Sequence, residues 1–174
     1  MLVRVLVFAG VIAIVAAEVP SFLEKGIPAT DPQTSVLSVA MPQQQPMDVD
    51  PHGNVRLKAN TQGHYTADFK INGKPVQGLI DTGATYVAVN ESTARHLGFG
   101  AANLDFRNSV NTANGETKAA FVRLDRIEIG PIRVRDVDAL VLRDSALSST
   151  LIGVSFLKRL ASYSVEDGAL RLTE

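Results

Sequence analysis

The sequence predicts an all-β domain, mainly strand with one or two short helices. Three features point there. Apolar and polar residues alternate with strand period from Tyr65 through Ala67, Phe69 and Ile71, against Thr66, Asp68 and Lys70. Tight-turn pairs recur at Asn72-Gly73, Asn114-Gly115, Gly130-Pro131 and Asp167-Gly168. The apolar runs between these turns are short and rich in β-branched residues. Strands joined by short turns, with two short helices, describe a small closed or partly closed β-domain.

Composition bounds what such a domain does. The chain has 174 residues, 45 % of them hydrophobic, enough for one cored domain with flanks. Lys and Arg number 17 against 18 Asp and Glu, for a formal net charge of −1, which gives no footprint for nucleic acid. There is no cysteine, so disulfides, thiolate zinc sites and cysteine nucleophiles are excluded. His52, His64 and His96 lie far apart without metal-ligand spacing, so no metal site and no serine triad is expected. His52 is expected in a loop and His96 on a helix surface.

Residues 1–17 are apolar apart from Arg4, and the run from Val5 to Ala17 is uninterrupted. It is shorter than the ~20 residues of a usual spanning helix. Arg4 ahead of it and Val15-Ala16-Ala17 behind it suit a signal peptide, while a short membrane anchor fits equally. Both readings export the remainder to the periplasm or beyond, with the positive end inside. Residues 18–54 carry Pro20, Pro28, Pro32, Pro42, Pro46 and Pro51 with Gln43-Gln44-Gln45, and read as a flexible linker. The folded domain is expected over 55–174, and no internal repeat is visible.

Within it, the first strand turns at Asn72-Gly73 and returns through Val76 to Ile80, with Gly78 leaving room for another backbone. Asn90 as N-cap and Gly98 as C′ residue predict a short helix over Glu91–Leu97. Asn114-Gly115 forms the tip of a second hairpin with arms 108–113 and 116–124. Its polar tip and small residues (Thr112, Ala113, Ala119, Ala120) make it a candidate flap. Ile127 and Ile129 lead into Gly130-Pro131, and Ile132 to Val141 supply further strand. Residues 145–150 form a small-polar loop. Leu151-Ile152-Gly153 precedes a short helical turn, and Tyr163 to Leu172 make a terminal hairpin.

The most informative stretch is Leu79-Ile80-Asp81-Thr82-Gly83-Ala84-Thr85-Tyr86. An acid ends one apolar run, a small-residue turn follows, and another apolar run begins. A carboxylate there sits half-buried on a cleft floor, where it needs a hydrogen bond or a shared proton. The bland alternative is an Asx turn, in which Asp81 caps its own backbone.

Asp81-Thr82-Gly83-Ala84, followed about seventy residues later by Leu151-Ile152-Gly153, resembles the retropepsin-like aspartic proteases, and within them a bacterial, single-motif, membrane-associated branch. The likeness takes in Gly63-His64-Tyr65, Ile71-Asn72-Gly73, Leu97-Gly98-Phe99, Ile129-Gly130 and Ser155-Phe156-Leu157, essentially the whole folded part. It implies an acid-protease barrel with one lobe per chain. It implies Asp81 as catalytic carboxylate, Thr82, Gly83 and Ala84 as its supporting loop, and Leu151, Ile152 and Gly153 as the segment packed beside it. It also implies a flap with Asn114 and Gly115 at its tip. The chain has a single such motif, so the resemblance implies a homodimer that hydrolyses peptide or protein substrates without cofactor or metal. Confinement near the tether makes membrane or envelope proteins the expected substrates. The competing expectation is a membrane-tethered barrel that binds peptides and does not cut them. Tyr86 departs from the family by its bulk beside the loop, and the expected flap holds less glycine than the viral type.

Overall fold

The computed structural model describes residues 47–112 and 115–174. The expectations for residues 1–46, signal or anchor and most of the linker, lie outside the described residues, as does Asn114. No helix among the described residues is long and apolar enough to cross a membrane.

Among the described residues, eleven strands form two sheets. The smaller sheet has the order β1 (Met47–Val49), β2 (Val55–Lys58), β11 (Ala169–Thr173), β10 (Ser162–Glu166), all antiparallel. The larger has the order β3 (Tyr65–Ile71), β4 (Lys74–Ile80), β9 (Thr150–Ile152), β5 (Val87–Asn90), β8 (Ile132–Leu142), β7 (Gly115–Ile129), β6 (Asn108–Thr112). Strand β3 also pairs with β7, through Lys70 with Glu128 and Ile71 with Ile127. Six strands therefore close on themselves, and β6 hangs from the free half of β7. This is the expected β-barrel with two short helices, α1 (Glu91–Leu97) and α2 (Val154–Leu157).

The local signals act as their chemistry dictates. Asn72 (φ 49°) and Gly73 (φ 80°) give the two successive positive φ values that a tight hairpin between β3 and β4 needs, and Asp167 (φ 50°) with Gly168 (φ 70°) does the same between β10 and β11. The Asn90 side chain accepts the Thr93 amide at 2.8 Å, and Gly98 ends α1 in the left-handed region. His52 lies in a turn and His96 is exposed on α1.

Alternation then builds the core. Val55 and Leu57 of β2, Leu170 and Leu172 of β11, and Phe69 and Ile71 of β3 are all buried in one cluster with Leu124, Ile127, Ile129 and Ile132. Phe156 of α2 meets Phe69 edge to face, with ring centroids 6.3 Å apart. A smaller apolar cluster (Ala88, Ala119, Leu142) lies apart from it.

Three expectations are corrected. The linker was expected to run to residue 54, but Met47–Val49 pairs with β2 as a strand. Pro51 follows it closely, and proline cannot donate to a ladder, so the strand does not run on into β2. Asp50 then closes the turn, its carboxylate accepting from His52 N, Asn54 N and Asn54 Nδ2. Gly78 admits side chains rather than backbone. A Cβ there would lie 2.9 Å from Ile152 Cγ1 and 3.0 Å from the Phe69 ring. Finally, β7 is one strand of 15 residues, where the sequence suggests a break after Leu124. Its pairing with β8 lapses at Asp125 and Asp136, where Asp136 takes a left-handed φ of 51° that breaks the strand geometry.

Candidate active site

The site is built where β9 inserts between β4 and β5. It runs parallel to β4 (Leu79 opposite Leu151, Ile80 opposite Ile152) and touches β5 at Ala88. Asp81 follows β4 directly, and its amide donates to Ile152 O at 3.1 Å, carrying the ladder one step further. The strand stops there because Asp81 turns its own backbone. Its Oδ1 accepts the Gly83 amide at 2.8 Å, and its carbonyl accepts the Ala84 amide at 3.3 Å. The Asx turn weighed as the bland reading is thus present. It engages only one carboxylate oxygen, and among the described residues Oδ2 accepts no hydrogen bond. The two readings are compatible.

The loop is bolted to the segment after β9. Short helix α2 begins with amides that have no partner inside the helix. Val154 N donates to Ala84 O at 2.8 Å and Ser155 N to Thr85 O at 2.9 Å. Gly153 makes this approach possible: a Cβ there would lie 2.3 Å from Tyr86 O and 2.5 Å from Ala84 O, so no other residue fits. The Ser155 hydroxyl accepts from Val87 N at 2.8 Å and donates to Asp138 O at 2.7 Å, joining the loop, α2 and β8.

The expected site residues are placed as follows. Asp81 is half-buried and Thr82 exposed, its hydroxyl making no hydrogen bond among the described residues. Gly83 turns its amide onto Asp81, and Ala84 and Leu151 are half-buried beside a groove. Ile152 is fully buried and holds the Asp81 amide. Gly115 opens β7 at φ 107°, with Thr112 Oγ1 donating to its carbonyl at 2.8 Å.

The groove, about 630 Å³, is floored by Asp81, Gly83 and Ala84. Val110, Asn111 and Thr112 of β6 face it, with Leu140, Leu142, Ala146, Leu147 and Leu151 along its apolar walls. Tyr86 borders it and meets Phe121 edge to face, ring centroids 5.6 Å apart, so its bulk sits at the groove margin. On the other side of Asp81 and Thr82 lies a second recess of about 350 Å³, towards His64 and β10. Among the described residues no cluster of His, Asp and Glu could hold a metal ion.

Sequence reasoning gave Ser155 no role. The signal was there: it is the lone hydroxyl in a buried apolar turn, Val154-Ser155-Phe156-Leu157, and a buried hydroxyl needs a partner. Leu140 and Leu142 carry no sequence signal of their own, since Val137, Ala139 and Val141 account for the core-facing side of β8.

Residues 67–159 match the family described as "gag-polyprotein putative aspartyl protease", more than half of the chain. The chain is similar to an uncharacterized protein encoded in the cobV 5′ region of a Sinorhizobium species, 36 % identical over 73 % of this chain and 54 % of that one. It is also similar to an uncharacterized protein of Rickettsia prowazekii (strain Madrid E), 28 % identical over 69 % and 51 %. The chain therefore spans about half the length of these curated relatives. Among solved structures it resembles a retropepsin-like aspartic protease from Rickettsia conorii, with a TM-score of 0.62, 29 % identity, and 74 % of this chain and 94 % of that chain covered. The EIAV protease in complex with an inhibitor shares the fold at a TM-score of 0.51 and 19 % identity, over 63 % of this chain and 100 % of that one. By its barrel, its Asp-Thr-Gly loop and these matches, the chain belongs to the retropepsin-like aspartic protease family.

Proposed function

We propose that the chain is an aspartic endopeptidase active as a homodimer, with Asp81 of each copy forming the catalytic pair. The observation that carries this is Asp81 itself. One oxygen is fixed by the Gly83 amide, the other is unengaged among the described residues, and both stand at the floor of an open groove. One chain supplies one such loop, so the pair needs a two-fold axis. Two carboxylates brought side by side cannot both ionise cheaply, and they hold one proton between them. The ionised member takes a proton from a water held between the pair. The protonated member donates to the scissile carbonyl and stabilises the tetrahedral species. The exposed Thr82 hydroxyl bonds across to the other loop. The substrate lies extended along β6 and is gripped through its main chain, while the β6–β7 hairpin closes over it and excludes water.

The apolar run over residues 5–17 supports export, by signal peptide or anchor, and an anchored enzyme would meet envelope proteins at high local concentration. Substrate trapping with Asp81→Asn tests that: recovery of cytosolic proteins alone would reject it. For the chemistry, wild type and Asp81→Asn are compared on a peptide library. Cleavage by the first and none by the second is expected. Equal turnover would sink the mechanism, and binding without cleavage by both would favour the peptide-binding barrel.

A further inference from the structure

The groove beside Asp81 does not end at its apolar walls. Cross-strand partners share a face, so the register sets one row across four strands: Leu151 of β9, Ala88 of β5, Leu140 of β8 and Phe121 of β7. Neighbouring strands lie about 4.8 Å apart, so the row spans about 14 Å. Leu151, Ala88 and Leu140 line the groove. Phe121 stands past them, 48 % exposed, with Tyr86 against it at 37 %. Ala88 is small, so the row dips between the two leucines and rises again at the rings. The Tyr86 backbone is locked: its carbonyl abuts Gly153 and the next amide is held by the Ser155 hydroxyl. One row further lies Arg123, paired with Asp138 at 3.1 Å, so the rings border a neutralised charge rather than a free one. Exposed apolar surface that continues a groove marks a place where something apolar binds.

We propose that Tyr86 and Phe121 form an aromatic shelf that selects substrates carrying a large aromatic side chain at the second residue from the cut bond, on either side. The proposal rests on the endopeptidase reading above and names what that enzyme prefers. The two residues joined by the cut bond lie where the two copies meet. This groove lies within one copy, so it serves the next residue out. Successive side chains of an extended peptide point to opposite faces, so the neighbours of that residue are turned away from the shelf. Its side chain enters over Ala88, and only a long, flat one reaches the rings. A third ring packs edge to face or offset on the pair, which a branched aliphatic side chain cannot do. Two copies supply two shelves, one on each side of the cut. Tyr86, the bulky departure beside the catalytic loop, thus extends the groove rather than blocking it.

The test uses the full chain and a peptide library varied one position at a time. Wild type should cut peptides with Phe, Tyr or Trp at the second residue about 10-fold faster in kcat/KM than those with Val. Phe121→Thr trades an exposed ring for a good strand former, and should erase this preference while those at other positions persist. Tyr86→Leu, which keeps apolar bulk and removes the ring, should weaken it, and Tyr86→Phe should retain it. The chain has no tryptophan, so a Trp placed in the peptide reports binding directly. Its emission should shift to the blue on Asp81→Asn, and less when Phe121→Thr is added. No aromatic preference at the second residue would overturn the proposal. So would a preference confined to the two residues at the cut bond, or one that survives both Phe121→Thr and Tyr86→Leu in folded protein. If no variant cuts any peptide, the Trp signal decides alone. Aromatic peptides held more tightly than their Val counterparts by wild type, and not by Phe121→Thr, would keep the shelf and end the protease reading. Equal binding, or none, would end the shelf as well.

Discussion

The Asp81 loop and the β6–β7 hairpin face each other across one groove, and they are held in opposite ways. The loop is tied to distant parts of the chain: to β9 through Ile152 O, to α2 through Val154 N and Ser155 N, and to β8 through the Ser155 hydroxyl. The hairpin is tied to itself. Asn108 Nδ2 donates to Ala119 O, Thr112 Oγ1 to Gly115 O, and Lys118 Nζ to Ser109 Oγ. Strand β6 pairs with β7, and Ser109 and Asn111 are exposed. Long-range bonds fix a position, while local bonds fix a shape that moves as a unit. A group that must meet a reacting atom needs the first kind of support, and a cover that admits substrate needs the second.

Mutations should therefore separate the two walls. The largest effect is expected at Gly153. An added Cβ would overlap Tyr86 O and Ala84 O, both backbone, and no rotamer relieves it. Gly153→Ala should cost about 3 kcal/mol in urea unfolding and lower kcat/KM by about 100-fold through a displaced Asp81. A stable, fully active Gly153→Ala would show that the loop is not locked. Next comes Ser155→Ala, which strips Val87 N of its acceptor and Asp138 O of its donor in a buried place. A loss of about 2 kcal/mol is expected, with kcat falling more than KM rises, because the change moves the loop and leaves the groove walls in place.

Both residues illustrate what was legible beforehand. Gly153 stood out because it ends an apolar pair and opens a helical turn, a local pattern. Turns and caps were legible for the same reason: Asn72-Gly73, Asn90, Gly98 and Asp167-Gly168 act on their own neighbours. What stayed hidden depends on distant partners. Thr150–Ile152 is only three residues long, and nothing in them announces insertion between β4 and β5. The bond from Ser155 to Val87 spans 68 residues. Met47–Val49 is a strand because β2 is there to pair with it, and its prolines signal the opposite. The Asp81 loop was readable as a motif, and the resemblance put Leu151-Ile152-Gly153 beside it, while the individual long-range bonds that anchor it were not readable.

Hairpin changes should do the reverse of the loop changes. Val110 of β6 is half-buried over the groove. Val110→Ala should move stability by about 0.5 kcal/mol yet raise KM by up to about tenfold, since a lost apolar contact weakens substrate binding. Equal losses in stability and activity would erase the contrast between the two walls.

The smallest effect belongs to a third wall, residues 143–149, which is pinned at one end. Asp144 accepts from Ser92 Oγ at 2.7 Å and Ser92 N at 2.9 Å, and Arg143 beside it stacks on Phe106 while bonding both Glu91 oxygens at 3.2 Å. The Ser92 hydroxyl first, then its amide, hold the Asp144 carboxyl below the usual carboxylate range. Folding thus favours the charged form. Its contribution is present above the unfolded value of about 4 and fades as pH falls through the lowered folded value. The urea midpoint of Asp144→Ala should therefore trail wild type by a small, constant amount at neutral pH, and the gap should close in acid. This carboxylate is solvent-exposed, so salt should narrow the gap as well. A gap that persists unchanged below that range would assign the pinning to Arg143 and Phe106 instead. The loop carrying Ala146 and Leu147 would then be held by packing, as the Asp81 loop is held by its backbone bonds, and would cease to be intermediate between the two walls.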